Sequence, residues 1–169
     1  MTRILIGLGL SAALVLGGCG GGSDDAAVVY TGDEMLENGM TVKEMIEPRQ
    51  HNLKDLGGAF KTVSDQIRSD EPNISEIQFA TAEVKTHAEN MKFWFPAETS
   101  PSSGVPTDAL PAIWEQKMDF DAMVEQFYTA SVTLDAAAQA GDVEGVTAAF
   151  RPVGGTCSTC HDSYRKDDD

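Results

Sequence analysis

The residues best suited to chemistry are Cys157-Ser158-Thr159-Cys160-His161. This is a C-x-x-C-H motif, the attachment signature of c-type haem. The spacing has a physical basis. Two thiols must add to two vinyl groups on one edge of a porphyrin, and residues three and four apart share one face of a helix. Cys157, Cys160 and His161 would then present two sulfurs and an iron-binding imidazole to the same side. Three other chemistries use these residue types. A thioredoxin-like redox pair wants its C-x-x-C at a helix start after a strand, and no strand pattern precedes Cys157. A zinc site needs further ligands, for which His51 and His87 are available but no second cysteine pair is. A disulfide across two intervening residues would make no use of His161. The motif therefore predicts one covalent haem c with His161 as axial ligand of the iron. No defensible acid/base pair of carboxylates, Gly-rich phosphate loop or Ser/His/Asp set is present, so no catalytic residue is assigned and the chain reads as a non-enzyme.

The elements that must position this motif are helical. Thr41-Val42-Lys43-Glu44 fits a capping box. Met45, Leu53, Leu56, Phe60, Val63 and Ile67 then recur at three- and four-residue steps. Pro48 predicts a kink near 44–48 or a helix that starts at the proline. Gly57-Gly58 weakens that helix by roughly 1 kcal/mol per glycine relative to alanine, for close packing or for a bulky planar neighbour. Ser69 to Asn73 reads as a turn. A second segment, about Ile74 to Phe95, aligns Ile77, Ala80, Val84, Ala88, Met91 and Phe95. Pro96 to Pro106 is the longest loop. A third segment opens near Asp108, tolerates Pro111 in its first turn, carries Trp114, Met118, Met123, Phe127 and Leu134, and ends at Gly141. Asp142 caps a fourth, running to about Lys166 with Val146, Phe150, Val153, Cys157 and Tyr164. The Met and aromatic stripes read as core. Short connections make this an all-α, antiparallel four-helix bundle over residues 41–169.

What precedes the bundle reads as an address. Arg3 and the apolar run Ile4 to Leu16 fit a signal peptide, the run being too short to span a bilayer comfortably. Leu16-Gly17-Gly18-Cys19 is similar to a bacterial lipoprotein signal, which implies cleavage after residue 18 and a lipid on Cys19; the alternative is a plain secretory signal. Residues 19–40 read as a flexible linker, Gly- and Asp-rich at first and with one short turn at most afterwards. Either reading exports the chain, and the first holds it on the periplasmic side of a bacterial membrane through its lipid. The formal charge is −15, with 12 Lys+Arg against 27 Asp+Glu. That excludes nucleic acid as a partner and suits a basic redox protein.

From about Val42 to Lys166 the chain resembles cytochrome c′ and its low-spin relatives of the c-556 type. The resemblance is carried by Arg49-Gln50 followed by Leu53, by Gly57-Gly58 and Phe60, by Ile113-Trp114 and Phe120, by Ala140-Gly141-Asp142, and by Phe150, Val153 and Gly154 leading into Cys157 to Arg165. Pro48 and the Pro96–Pro106 loop depart from the family pattern. The resemblance implies a four-helix bundle with its haem on the last helix, and homodimers through the first two helices. It implies that the sixth position of the iron faces Leu53, where low-spin relatives have methionine. Leucine has no lone pair to donate, so the expectation is a five-coordinate, high-spin iron that binds small neutral diatomics such as nitric oxide and carbon monoxide and can exchange one electron. The alternative is a six-coordinate electron carrier serving a respiratory chain, and a third is a haem sensor module. By the same resemblance Arg49 approaches a haem propionate, against the plainer reading of a solvated helix residue. Arg165 either lies beside the proximal imidazole or balances the helix dipole together with Lys166. His51 and His87 read as surface or rim residues. Met45, Met91, Met118 and Met123 read as core, any of them a ligand only if the first helix were rotated.

Overall fold

The structure is a computed structural model that describes residues 32–167. The expected signal peptide, Cys19 and the start of the linker lie outside the described residues, as do the last two aspartates. Helix α1 spans Val42–Gln66, α2 Ile74–Asn90, α3 Ala112–Glu115, α4 Lys117–Gln139 and α5 Val143–Tyr164. The four long helices form the expected bundle: α1 packs on α2, α2 on α4, and α4 on α5. The seam between α1 and α5 is the loose one. It is bridged by the stacked rings of Phe60 and Phe150, whose centroids are 4.2 Å apart and nearly parallel. No helix among the described residues is long and apolar enough to cross a membrane.

The start of α1 follows the capping-box expectation. Thr41 Oγ1 accepts from Glu44 N at 3.1 Å, and Glu44 Oε2 accepts from Thr41 N at 2.8 Å. The helix begins at Val42 and runs unbroken through Pro48, which neither starts nor ends it. Pro48 and Glu44 are both exposed, so water can serve the carbonyl that the missing N–H leaves behind. The expected linker is more structured than its composition suggests from residue 32 onward. Leu36 N donates to Met40 O at 2.9 Å, and Gly39 N to Leu36 O at 2.9 Å. Gly32, at φ +97°, is buried so closely that a Cβ would stand 2.9 Å from Val105 Cγ2.

Asn73 caps α2, its Oδ1 accepting from Ser75 N and Glu76 N. All six residues expected on the second stripe, Ile77, Ala80, Val84, Ala88, Met91 and Phe95, are buried. The third segment differs from its expectation. Instead of one helix there is a single turn, α3, then a break at Gln116 (φ −115°, ψ 44°) and then α4. Trp114 Nε1 donates to Pro96 O at 3.0 Å, so α3 is tethered to the preceding loop. The break resets the helical phase, and Met118, expected in the core, is 86% exposed. Gly141 at φ +72° ends the α4 turn, and Asp142 Oδ1 accepts from Gly145 N at 2.8 Å to open α5.

One ionic contact is built into the bundle between α2 and α4. Asp135, 4% exposed, accepts from Lys85, Thr81 and Gln139. Burial pushes its carboxyl up, but the hydrogen bonds from Lys85, Gln139 and Thr81 and the attraction of Lys85 outweigh that and hold it below the usual aspartate value. The hydrogen bond to Asp135 raises Lys85. The depressed acid contributes stability above its unfolded pKa that is lost as pH falls through its folded one. The raised base contributes below its unfolded pKa and loses that as pH rises through its folded one. Lys85→Met should therefore cost about 1–3 kcal/mol at neutral pH, by leaving a buried carboxylate short of a donor, and should flatten the acid limb of a melting-temperature profile. Parallel acid limbs in variant and parent would show that the pair contributes nothing to the pH dependence.

Candidate cofactor-binding cavity

The open seam between α1 and α5 holds a cavity of about 580 Å³. One wall is α1, with Arg49, Leu53, Gly57 and Phe60 at i, i+4, i+8 and i+11, one stripe of a helix. The opposite wall is α5, with Cys157, Cys160 and His161, all three lining the cavity as their spacing predicts. Phe120, Met123 and Phe127 from α4, with Met91 and Phe95, close the inner side. The lining is mostly apolar with a few polar groups at its edge, the usual make-up of a cofactor site.

The α1 wall is shaped by what it lacks. A Cβ on Gly57 would meet nothing within 4 Å. Gly57 therefore does not serve close packing between helices; it leaves clearance on the cavity side, as a planar neighbour would require. Gly154 on α5 answers a different need, since its Cβ would touch the Phe60 ring at 3.5 Å, where the seam closes.

Cys157 and Cys160 are half-buried and not disulfide-bonded. Burial pushes both thiols up, Cys160 to about 11, so both are protonated at neutral pH. A reactive redox pair needs the opposite shift. Among the described residues no group of three or more His, Cys, Asp or Glu side chains is arranged to hold a metal ion. His51 accompanies Asp55 at 3.2 Å on the outside, and His87 meets Trp94 edge-on, so neither lines the cavity.

Arg49 is not a solvated helix residue. It is 2% exposed. Nη1 donates to Thr99 Oγ1 at 2.9 Å and to Trp94 O at 3.3 Å, and Nη2 donates to Thr107 Oγ1 at 3.1 Å. The guanidinium lies over the Phe95 ring, 4.8 Å from its centroid. Burial lowers its pKa to about 10, so it stays charged at neutral pH. All these partners are neutral. A buried cation held by neutral acceptors at the edge of a cavity fits a ligand that brings its own anionic groups. Leu53 lines the same wall at 37% exposure. Arg165 lines the cavity too, from just past the end of α5. The helix stops at Tyr164, and Arg165 is extended (φ −120°, ψ 144°), its N donating to His161 O at 3.2 Å.

These features fit a covalently tethered tetrapyrrole: two protonated thiols and an imidazole on one helix face, clearance opposite, an apolar inner side and a buried cation at the edge. The family model described as cytochrome c′ matches residues 44–165. The chain belongs to the cytochrome c′ family. Members of this family carry one covalently attached haem c. A cytochrome c-556 from Agrobacterium tumefaciens (strain B2A) is 33% identical over 122 residues, covering 71% of this chain and 95% of the relative. The crystal structure of cytochrome c′ from Thermochromatium tepidum superposes with a TM-score of 0.70 at 26% identity, over 76% of this chain and 98% of that one. A ferrous variant of the Alcaligenes xylosoxidans protein, solved with nitric oxide bound, gives 0.67 at 28% identity, over 75% and 97%.

Thr99 and Thr107, which hold Arg49 from 50 and 58 residues away, have no counterpart among the residues that the sequence singles out. Nothing local marks a loop threonine as the partner of a distant arginine. Met91, Phe95, Met123, Phe127 and Tyr164 are legible as core but not as cavity lining, because a stripe reports burial and not what it is buried against. A substitution separates the two glycines of α1. Gly57→Leu should lower bound haem per polypeptide or shift its absorption bands, whereas Gly58→Leu, outside the lining, should leave both unchanged. Equal effects from both would show that clearance at Gly57 has no part in accommodating the haem.

Proposed function

We propose that this family member holds its haem through thioethers to Cys157 and Cys160 with His161 as the axial ligand, and that its iron is five-coordinate, high-spin and open to small neutral diatomic gases. Each thiol adds its S–H across one vinyl group, so nothing leaves and both sulfurs become thioethers. The haem supplies a metal centre that can bind a gas and exchange one electron. The observation that carries the reading is Leu53 on the wall opposite the motif, a hydrocarbon with neither a lone pair for iron nor a donor for bound dioxygen. Nitric oxide and carbon monoxide need little polar help, and an Alcaligenes relative is known with nitric oxide bound. Arg49 would pair with a propionate, its neutral partners leaving its charge for that purpose. Arg165, just past the end of the helix that carries His161, would lie near the proximal imidazole. The exported, lipid-anchored form through Cys19, a basic redox partner and a homodimer belong to the same reading, and the protein would act as a binder or carrier rather than an enzyme.

Two thioethers, Met91 and Met123, also line the cavity. They favour a second reading, a six-coordinate low-spin electron carrier like the c-556 relatives, in which a methionine completes the iron's coordination. Optical and EPR spectra of the purified holoprotein separate the two. High-spin ferric signals and a carbon monoxide-shifted ferrous Soret band are expected. A low-spin ferrous spectrum indifferent to carbon monoxide would reject the open site. Leu53→Met should convert the iron partly to low spin and weaken gas binding, and unchanged spectra would mean that Leu53 does not face the sixth position. Cys157→Ala combined with Cys160→Ala should abolish haem that survives denaturing electrophoresis; haem still attached would refute the attachment site.

A further inference from the structure

The loop between α2 and α3 supplies Thr107 to the cavity lining and touches both of its walls. Toward α1, Thr107 Oγ1 accepts from Arg49 Nη2 at 3.1 Å and from Ala109 N at 3.2 Å, which uses both lone pairs of a nearly buried hydroxyl. Toward α5, the Thr107 carbonyl accepts from Lys166 Nζ at 2.9 Å. Around that contact the chain just past α5 pairs with the loop. Lys166 N donates to Asp108 O at 2.8 Å, Leu110 N donates to Tyr164 O at 2.9 Å, and Ala109 and Arg165 form an antiparallel bridge. One residue therefore grips the buried cation of the first wall with its side chain and the end of the second wall with its backbone. The two walls have little direct helix packing to hold them at a fixed separation.

We propose that Thr107 is a positioning residue that ties the Arg49 guanidinium to the end of the histidine-bearing helix, so that the charge beside the haem and the placement of His161 are set together. This rests on the proposed placement of the haem against Arg49 and His161 and not on the five-coordinate reading of Leu53. Removing the hydroxyl leaves one guanidinium N–H of a buried cation without its acceptor and frees the head to turn toward water. A cation held near the iron favours the ferrous over the ferric state, which carries one more positive charge. Releasing Arg49 should therefore favour the ferric state.

The test uses the haem-loaded chain. Thr107→Val keeps the shape and removes the acceptor, and it should lower the ferrous-to-ferric ratio at a fixed mediator potential by roughly threefold, a typical coupling for one network residue. Thr107→Ser restores the hydroxyl and should return the ratio to that of the parent. Lys166→Met should act partly through Thr107, so its effect should shrink in the Thr107→Val background; an effect of its lost charge alone would be equal in both. Amide exchange at Leu110 and at position 166 should quicken in both single variants. An unchanged ratio in Thr107→Val, equal shifts in Thr107→Val and Thr107→Ser, or full additivity with Lys166→Met would each overturn the proposal. A low-spin spectrum in the parent would remove the open-site reading and leave this measurement fully readable.

Discussion

A four-helix bundle that closed all four of its seams would bury Cys157, Cys160 and His161 against the first helix and leave no room for chemistry. This one leaves a single seam ajar. Helices α1 and α5 meet at the Phe60–Phe150 stack and at Gly154, and toward the other end they part around the cavity. The rest of the site depends on that separation. It places Gly57 where clearance matters, leaves Leu53 short of full burial, and sets Arg49 at an edge where its hydrogen-bond acceptors are all neutral. The remaining seams are ordinary bundle packing, with Val63, Ile77, Leu134 and Val146 fully buried.

Helix α1 has to satisfy two surfaces at once. Leu56, Ala59 and Val63 are buried in the bundle core, while Arg49, Leu53, Gly57 and Phe60 form a second stripe facing the cavity, which Leu56 also reaches. A helix with one partner needs one apolar stripe, so the second reads as surplus until a ligand covers it. On the proposed reading the haem is that cover. The same logic places a buried cation in a chain of net charge −15. Arg49 is costly to desolvate, and the three neutral acceptors that hold it soften the cost without neutralising the charge. Two carboxylates arriving with the cofactor would complete the balance.

Much of this architecture is legible in the amino-acid sequence, for identifiable reasons. Local rules govern the helix starts, so Thr41, Asn73 and Asp142 sit where the sequence predicts caps or turns. The spacing of the motif is enough to put three reactive groups on one face. The differences arise where other contacts override a local preference. Pro48 admits a helix start, but the capping box at Thr41 begins the helix upstream of it, and its exposed position leaves the freed carbonyl to water. Met118 falls on the extrapolated stripe, and the break at Gln116 turns it to solvent. Thr99 and Thr107 carry no local signal, because their role exists only once α1 lies beside the loop.

The position of the helix end has a consequence for the site. Because α5 stops at Tyr164, the residues after it leave the helix axis and pair with residues 108–110 instead of extending into solvent. His161 lies in the last turn of the helix, where two of the free carbonyls are engaged: its own accepts from Arg165 N, and that of Tyr164 accepts from Leu110 N. A final turn without such partners would fray, and the imidazole in it would move with it. The pairing makes the last turn part of the folded unit. The chain between α2 and α3 is thereby held against both walls, to α1 through Thr99 and Thr107 and to the end of α5 through residues 107–110. The irregular segment between α2 and α3 therefore adds hydrogen bonds to both walls that the helices themselves do not supply to each other.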